Sequence, residues 1–161
     1  MAAATTKKSV TADFCDVHSE GAEAPSFSYP ELAEPAPTPS RAWRWINVWA
    51  TWCAPCVAEM PLLERWRQRL GQQGKAVDLV YLSVDDDAAA VAAFRETNGV
   101  GRGPRVRAMD ALTPWLTMLG LDSAASIPIH IFVDPNGKVR CVRRGALEAH
   151  HFDDVAQLVA Q

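Results

Sequence analysis

The apolar positions of this chain fall into two periods. Trp43 to Thr51 (WRWINVWAT) and Val77 to Val84 (VDLVYLSV) are nearly continuous apolar runs, as expected of strands covered on both faces. Between them Val57, Met60, Leu63, Trp66 and Leu70 recur every three or four residues, which predicts a helix. Gly71 and Gly74 bracket its C-terminal end, and Pro61 inside the pattern predicts a kink. Asp85, Asp86 and Asp87 offer helix-start chemistry for a second helix over 88–97. A loop carrying three glycines spans 98–104, and Asp110 is expected to cap a short helix through Leu119. Ile127 to Val133 predicts a third strand, Asp134-Pro-Asn-Gly137 a tight turn and Lys138 to Arg143 a fourth strand, together a hairpin. Phe152, Val155, Leu158 and Val159 share one face of a last helix over 148–160. Upstream, Phe14 to Val17 and Ser26 to Tyr29 read as short strands, and five prolines between Pro25 and Pro39 forbid a helix there. Residues 1–12 read as a loose arm and residues 13–161 as one domain. The order β-α-β-α-(α)-β-β-α predicts an α/β fold, a mixed sheet flanked by helices.

Composition narrows the function classes. The chain has 161 residues, 48% of them hydrophobic and 22% charged, which is ordinary for a globular domain. Its net charge of −3 disfavours a nucleic-acid partner, because gripping phosphates across a broad surface needs a basic surplus. The longest nearly uncharged stretch, Trp45 to Ala58, is too short and too often interrupted to span a bilayer, so no membrane span is expected. Lys7 and Lys8 are not followed by an apolar segment of signal-peptide kind. This fits either a cytoplasmic protein or a chain freed of its leader or anchor.

The chemistry lies in the cysteines, Cys15, Cys53, Cys56 and Cys141. Cys53 and Cys56 form a Cys-x-x-Cys with no second closely spaced Cys/His pair, so half the ligands of a structural zinc site are missing and no metal is expected. The motif joins a buried strand to a helix. Cys53 there sits over unpaired N–H groups and the positive end of the helix dipole, which favours its thiolate. Cys56 follows within the first turn, where its sulfur reaches that of Cys53, and Pro55 stiffens the loop where no N–H is needed. Such a pair opens a substrate disulfide at Cys53 and releases it when Cys56 resolves the mixed disulfide.

The run from Val48 to Pro61, VWATWCAPCVAEMP, resembles the active-site segment of the thioredoxin superfamily, and its Glu59-Met-Pro61 tail resembles the TlpA/ResA/DsbE-like branch of thiol:disulfide oxidoreductases. The resemblance covers about residues 13–160 and is weak in the first 40. It implies a thioredoxin-like fold with an N-terminal strand extension and an inserted helix before the cis-proline strand. It implies that Ile127-Pro128 is the cis-proline loop, offering the backbone of Ile127 to an extended substrate. It makes Glu59 the acidic residue near the disulfide, exchanging a proton with Cys56; a solvated helix Glu is the competing reading. Thioredoxins proper carry a buried Asp in the preceding strand, where this chain has Asn47. The catalytic candidates are therefore Cys53, Cys56 and Glu59, and the substrate-contact candidates are Trp52, Ala54, Pro55, Ile127 and Pro128. No cofactor beyond the Cys53–Cys56 disulfide is implied. The partners are disulfide-containing proteins and an upstream thiol electron donor, and the chain is expected to be a monomer.

Cys15 and Cys141 are either lone buried thiols or a structural disulfide pinning the N-terminal segment, which would require an oxidising compartment. His130 shares the strand face of Pro128 and could approach the site, although a satisfied core or edge histidine is the commoner case. Arg140, Arg143 and Arg144 read as a solvated hairpin face. Trp43, Trp45, Trp49, Trp66 and Trp115 read as core, and Trp52 as an exposed rim for docking. Three functions compete: a periplasmic or otherwise extracytoplasmic reductase of protein disulfides, of the kind that acts in cytochrome c or copper-site maturation; a general cytosolic thioredoxin; and a non-enzymatic copper(I) carrier, since soft thiolates select that ion.

Overall fold

Trp43–Trp49 is the strand around which the rest is arranged, and we number it β2. The computed structural model describes residues 13–122 and 124–161. The predicted arm over 1–12 lies outside them. β1 is Val17–His18, α1 Ala54–Gln72, β3 Val77–Ser83 and α2 Ala88–Asn98. After a short 3₁₀ turn come α3 (Leu112–Met118), β4 (Ile129–Val133), β5 (Val139–Arg144) and α4 (Phe152–Leu158). The five strands form one mixed sheet in the order β1-β5-β4-β2-β3.

β2 runs parallel to β3 and antiparallel to β4. Being central, it is covered on both faces, so its apolar run does not alternate. Trp45, Ile46, Val48 and Trp49 have no exposed surface. Trp45 stacks on Phe132 at 5.3 Å and approaches Trp66 of α1 at 6.4 Å. The β2–β4 register sets Asn47 opposite His130 and Val48 opposite Ile129. The strand that ends at the Cys-x-x-Cys therefore lies against the strand that follows Pro128. β4 and β5 form the predicted hairpin: Asp134 Oδ1 accepts from Asn136 N at 2.9 Å and Lys138 N at 3.0 Å, and Gly137 closes the turn at φ 80°. The outer edge of β3 is covered by the glycine loop, where Tyr81 N donates to Arg102 O and Val106 N to Ser83 O. Only glycine fits at 103, because a Cβ there would stand 2.0 Å from the Tyr81 carbonyl oxygen.

Several local expectations are corrected. The strand predicted over 14–17 is Val17–His18, and Ser26–Tyr29 makes only a single bridge, Ser26 to Lys138, because the edge of β5 is already partly taken by β1. Helix α1 runs unbroken past Pro61, which sits on its exposed face. Its buried stripe contains Cys56 and Glu59, while Val57 is only half-buried. Asp110 caps nothing with its side chain; it lies inside the 3₁₀ turn Met109–Ala111, whose N-cap is Ala108. Of the three hairpin arginines only Arg144 lies on a solvated face; Arg140 and Arg143 are half-buried. Arg140 pairs with Asp134 at 2.7 Å and donates to Gly21 O; Arg143 donates to Phe14 O and lies over the Phe14 ring; Arg144 pairs with Asp16 and Asp122. Burial alone would raise Asp134, but bonds from Lys138 N–H, the Arg140 guanidinium and Asn136 N–H hold it below the usual carboxylate range. The hairpin's charges thus anchor the N-terminal segment.

Candidate active site

The chain leaves β2 at Trp49, turns through Ala50 and Thr51 and enters α1 at Ala54. Cys53 is the N-cap of that helix, its N–H bonded to Ala50 O at 3.1 Å and its sulfur 3.3 Å from the N–H of Cys56. A sulfur at the N-cap faces helix donors that have no intrahelical partner. Cys53 and Cys56 are joined as a disulfide. Cys53 retains 6% exposure and Cys56 none, so Cys53 is the outer sulfur. Ala54 and Pro55 are exposed beside it, Pro55 occupying the start of the helix. Trp52 is 66% exposed, against 7% or less for the five other tryptophans.

The Ile127-Pro128 peptide bond is cis and stands directly over this pair: the Ile127 carbonyl oxygen lies 4.0 Å from Cys53 Sγ. Ile127 is half-buried and Pro128 buried. The structure thus brings Trp52, Cys53, Ala54, Pro55, Cys56, Ile127 and Pro128 to one end of the sheet. Cys15 and Cys141 are elsewhere, on the β5 edge, joined as a second disulfide with Cα atoms 5.4 Å apart.

Glu59 is buried, not solvated. Its side chain accepts from Leu147 N at 2.7 Å through Oε2 and from Asn47 Nδ2 at 3.4 Å through Oε1, and His130 Nε2 lies 3.0 Å from Oε1. Glu59 lies on the helix face that carries Cys56, one turn further on. His130, whose commoner role would be a core histidine, is in contact with that carboxylate.

Asp85 is a site residue that sequence patterning assigns wrongly. Within its acidic triplet only Asp87 caps α2, accepting from Ala89 N and Ala90 N. Asp85 turns inward at 3% exposure and accepts from Thr51 N, Thr51 Oγ1 and Ser83 Oγ, the hydroxyl bonds measuring 2.5 and 2.7 Å. It thereby fixes the residue before Trp52 to the end of β3. The one available signal is its place directly after an apolar strand, facing the strand's end. Asp85→Ala leaves the Thr51 N–H and both hydroxyls without their acceptor and is expected to cost about 2–3 kcal/mol, read as a lower urea midpoint. An unchanged midpoint would release the Thr51 turn from this anchor.

Among the described residues, no group of three or more His, Cys, Asp or Glu is arranged to hold a metal ion, and no helix is long and apolar enough to cross a membrane.

A Cys-x-x-Cys at a strand-to-helix junction, facing a cis-proline loop on a sheet of this order, defines the thioredoxin-like class. Within it the chain belongs to the Redoxin family, whose model matches residues 19–160. Among curated proteins it is similar to the thiol-disulfide oxidoreductase ResA of Bacillus subtilis, 28% identical over 114 residues, 71% of this chain and 59% of ResA. It is also similar to the thioredoxin-like protein YneN of the same organism, 32% identical over 81 residues, 48% of each chain. The chain thus matches between 48% and 59% of the length of these two relatives. Among solved structures, a secreted thiol-disulfide isomerase from Corynebacterium glutamicum aligns with a TM-score of 0.65 at 22% identity, over 90% of this chain and 92% of that one, a likeness of fold.

Proposed function

We propose that this chain is a thiol:disulfide oxidoreductase that reduces disulfides of partner proteins outside the cytoplasm. The observation that carries the proposal is the Cys53–Cys56 pair capping α1, with the Ile127 carbonyl 4.0 Å from the outer sulfur. An extended substrate strand lies along Ile127 and brings its disulfide to Cys53, with Trp52, Ala54 and Pro55 as the surrounding rim. The reduced protein's Cys53 thiolate attacks one substrate sulfur, forming a mixed disulfide and releasing the other as thiolate. Cys56 then gives its proton to Glu59 and attacks Cys53. The Cys53–Cys56 bond forms, the second substrate thiolate leaves, and two electrons have passed to the substrate. An upstream thiol donor restores the dithiol. The ResA similarity supports this chemistry, and the Cys15–Cys141 disulfide supports an oxidising compartment.

Direction is tested by the equilibrium potential of the Cys53/Cys56 couple. A reductase poises near about −270 mV and a strong oxidant near about −120 mV. A value at the oxidising end would overturn the reductase reading. The proton step is tested with Glu59→Gln, which preserves shape and the acceptor for Leu147 N–H but carries no titratable group. Insulin-disulfide reduction at neutral pH is expected to slow by about tenfold or more, with one inflection missing from its pH–rate profile. An unaltered profile would remove Glu59 from the reaction.

A further inference from the structure

Glu59 is shut away from water, so what fixes its protonation must be sought among its neighbours. Its hydrogen-bond and ion-pair partners are Asn47 of β2, Leu147 N after β5 and His130 of β4; no guanidinium or ammonium contacts it among the described residues. The side chains of His130 and Glu59 are 0% and 2% exposed. On the other side of the imidazole, His130 Nδ1 lies 3.0 Å from Trp45 Nε1, and Asn47 Nδ2 lies 3.5 Å from the same nitrogen. An indole N–H can only donate, so Nδ1 must present a lone pair. The ring proton then sits on Nε2, facing Glu59. The N–H is not aimed straight at Oε1, and no other acceptor reaches it.

We propose that His130 is a positioning residue for the exchange reaction: as a neutral imidazole with its proton on Nε2, it holds Glu59 as the carboxylate that takes the proton of Cys56. The proposal rests on the oxidoreductase reading above. A full imidazolium would require a proton on Nδ1 and the loss of the Trp45 bond, so His130 supplies a dipole and not a counter-charge. Asn47 contributes from the opposite strand: its Oδ1 is buried without a partner, and rotation of the amide turns that acceptor toward Glu59 once the carboxyl is protonated. Cys56 shares the buried face of α1 with Glu59, and Tyr81 on β3 is close enough to feel the Glu59 charge, with Glu64 of α1 bonded to its hydroxyl. Burial, with Glu64 and then Glu59 adding to it, pushes Tyr81 up, so its hydroxyl stays protonated and donates to Glu64.

The test follows thiolate absorbance of the reduced Cys53/Cys56 pair, and insulin reduction, against pH. His130→Phe keeps an aromatic ring and removes the Nε2 donor together with the Nδ1 acceptor of the Trp45 bond. The Glu59-linked inflection is expected to move up by about one pH unit, since the carboxylate loses the N–H dipole that faces it. His130→Gln, which can present an amide N–H near the same place, should restore part of the shift. In a Glu59→Gln background His130→Phe should move nothing further. An equal shift with and without Glu59, or none at all, overturns the proposal. Should His130→Phe not fold, nitrogen NMR of the wild-type protein decides: the expected result is a proton on Nε2, none on Nδ1, and an inflection in the His130 shifts that Glu59→Gln abolishes. A proton on Nδ1, or flat shifts, overturns it equally. Failure of the wild-type protein to reduce insulin would count against the oxidoreductase reading alone, because both spectroscopic readouts need no substrate.

Discussion

Cys53→Ser is expected to bring insulin-disulfide reduction down to the background rate, while Cys56→Ser still attacks substrate and accumulates as a mixed disulfide through Cys53. The asymmetry follows from the helix start. Cys53 is the N-cap, its sulfur faces the N–H of Cys56, and it keeps the only exposed surface of the pair. Unpaired donors and the helix dipole stabilise a thiolate there, whereas a serine hydroxyl at the same place is no nucleophile for a disulfide. Cys56 is fully buried, so substrate cannot reach it first, and it acts only on the mixed disulfide beside it. Mass spectrometry should find substrate attached at residue 53 in Cys56→Ser, and iodoacetamide at neutral pH should label Cys53 before Cys56 in the reduced wild type. Labelling in the opposite order would reverse the roles.

Replacing both Cys15 and Cys141 by Ala is expected to cost about 3–5 kcal/mol of stability in the chain-entropy account of long disulfide loops. The bridge closes a loop of sequence separation 126, tying the N-terminal segment to the middle of β5. It is backed by the Arg143 bond to Phe14 O and the Arg144 N–H bond to Asp16, so the segment should loosen without the whole fold being lost. The urea midpoint of the double variant, compared with wild type, reads the cost; equal midpoints would make the bridge incidental. In denatured, non-reduced protein no free thiol is expected, and mild reductant acting on the folded protein should release two thiols before the others. Exposure alone does not order the two disulfides, since Cys53 at 6% and Cys15 at 8% are nearly alike. The order comes from the helix N-terminus, which stabilises the reduced Cys53 thiolate and so makes its disulfide the easier to open. Peptide mapping of the slow pair should recover Cys15 linked to Cys141.

The elements whose signals are local were legible in the sequence. The apolar run of β2, the 3–4 spacing of α1, the Asp-Pro-Asn-Gly turn and the Cys-x-x-Cys between strand and helix each depend on neighbours within a turn or a hairpin, where side-chain period and backbone geometry are coupled directly. Those alone determined the mixed α/β order and placed both sulfurs at a helix start. The destination of a polar side chain is a different matter, because it depends on which strands become neighbours. Glu59 meets Asn47, His130 and Leu147 only because β4 inserts beside β2 and the chain after β5 returns over α1, joining residues 12, 71 and 88 positions away. Asp85 looks like its two acidic neighbours until Thr51 arrives from the adjacent strand end. Arg140 and Arg143 of β5 look solvated until the N-terminal segment crosses them. A buried carboxylate or imidazole is stable only where donors and acceptors converge on it, and that convergence is a property of long-range strand order, which no periodicity records.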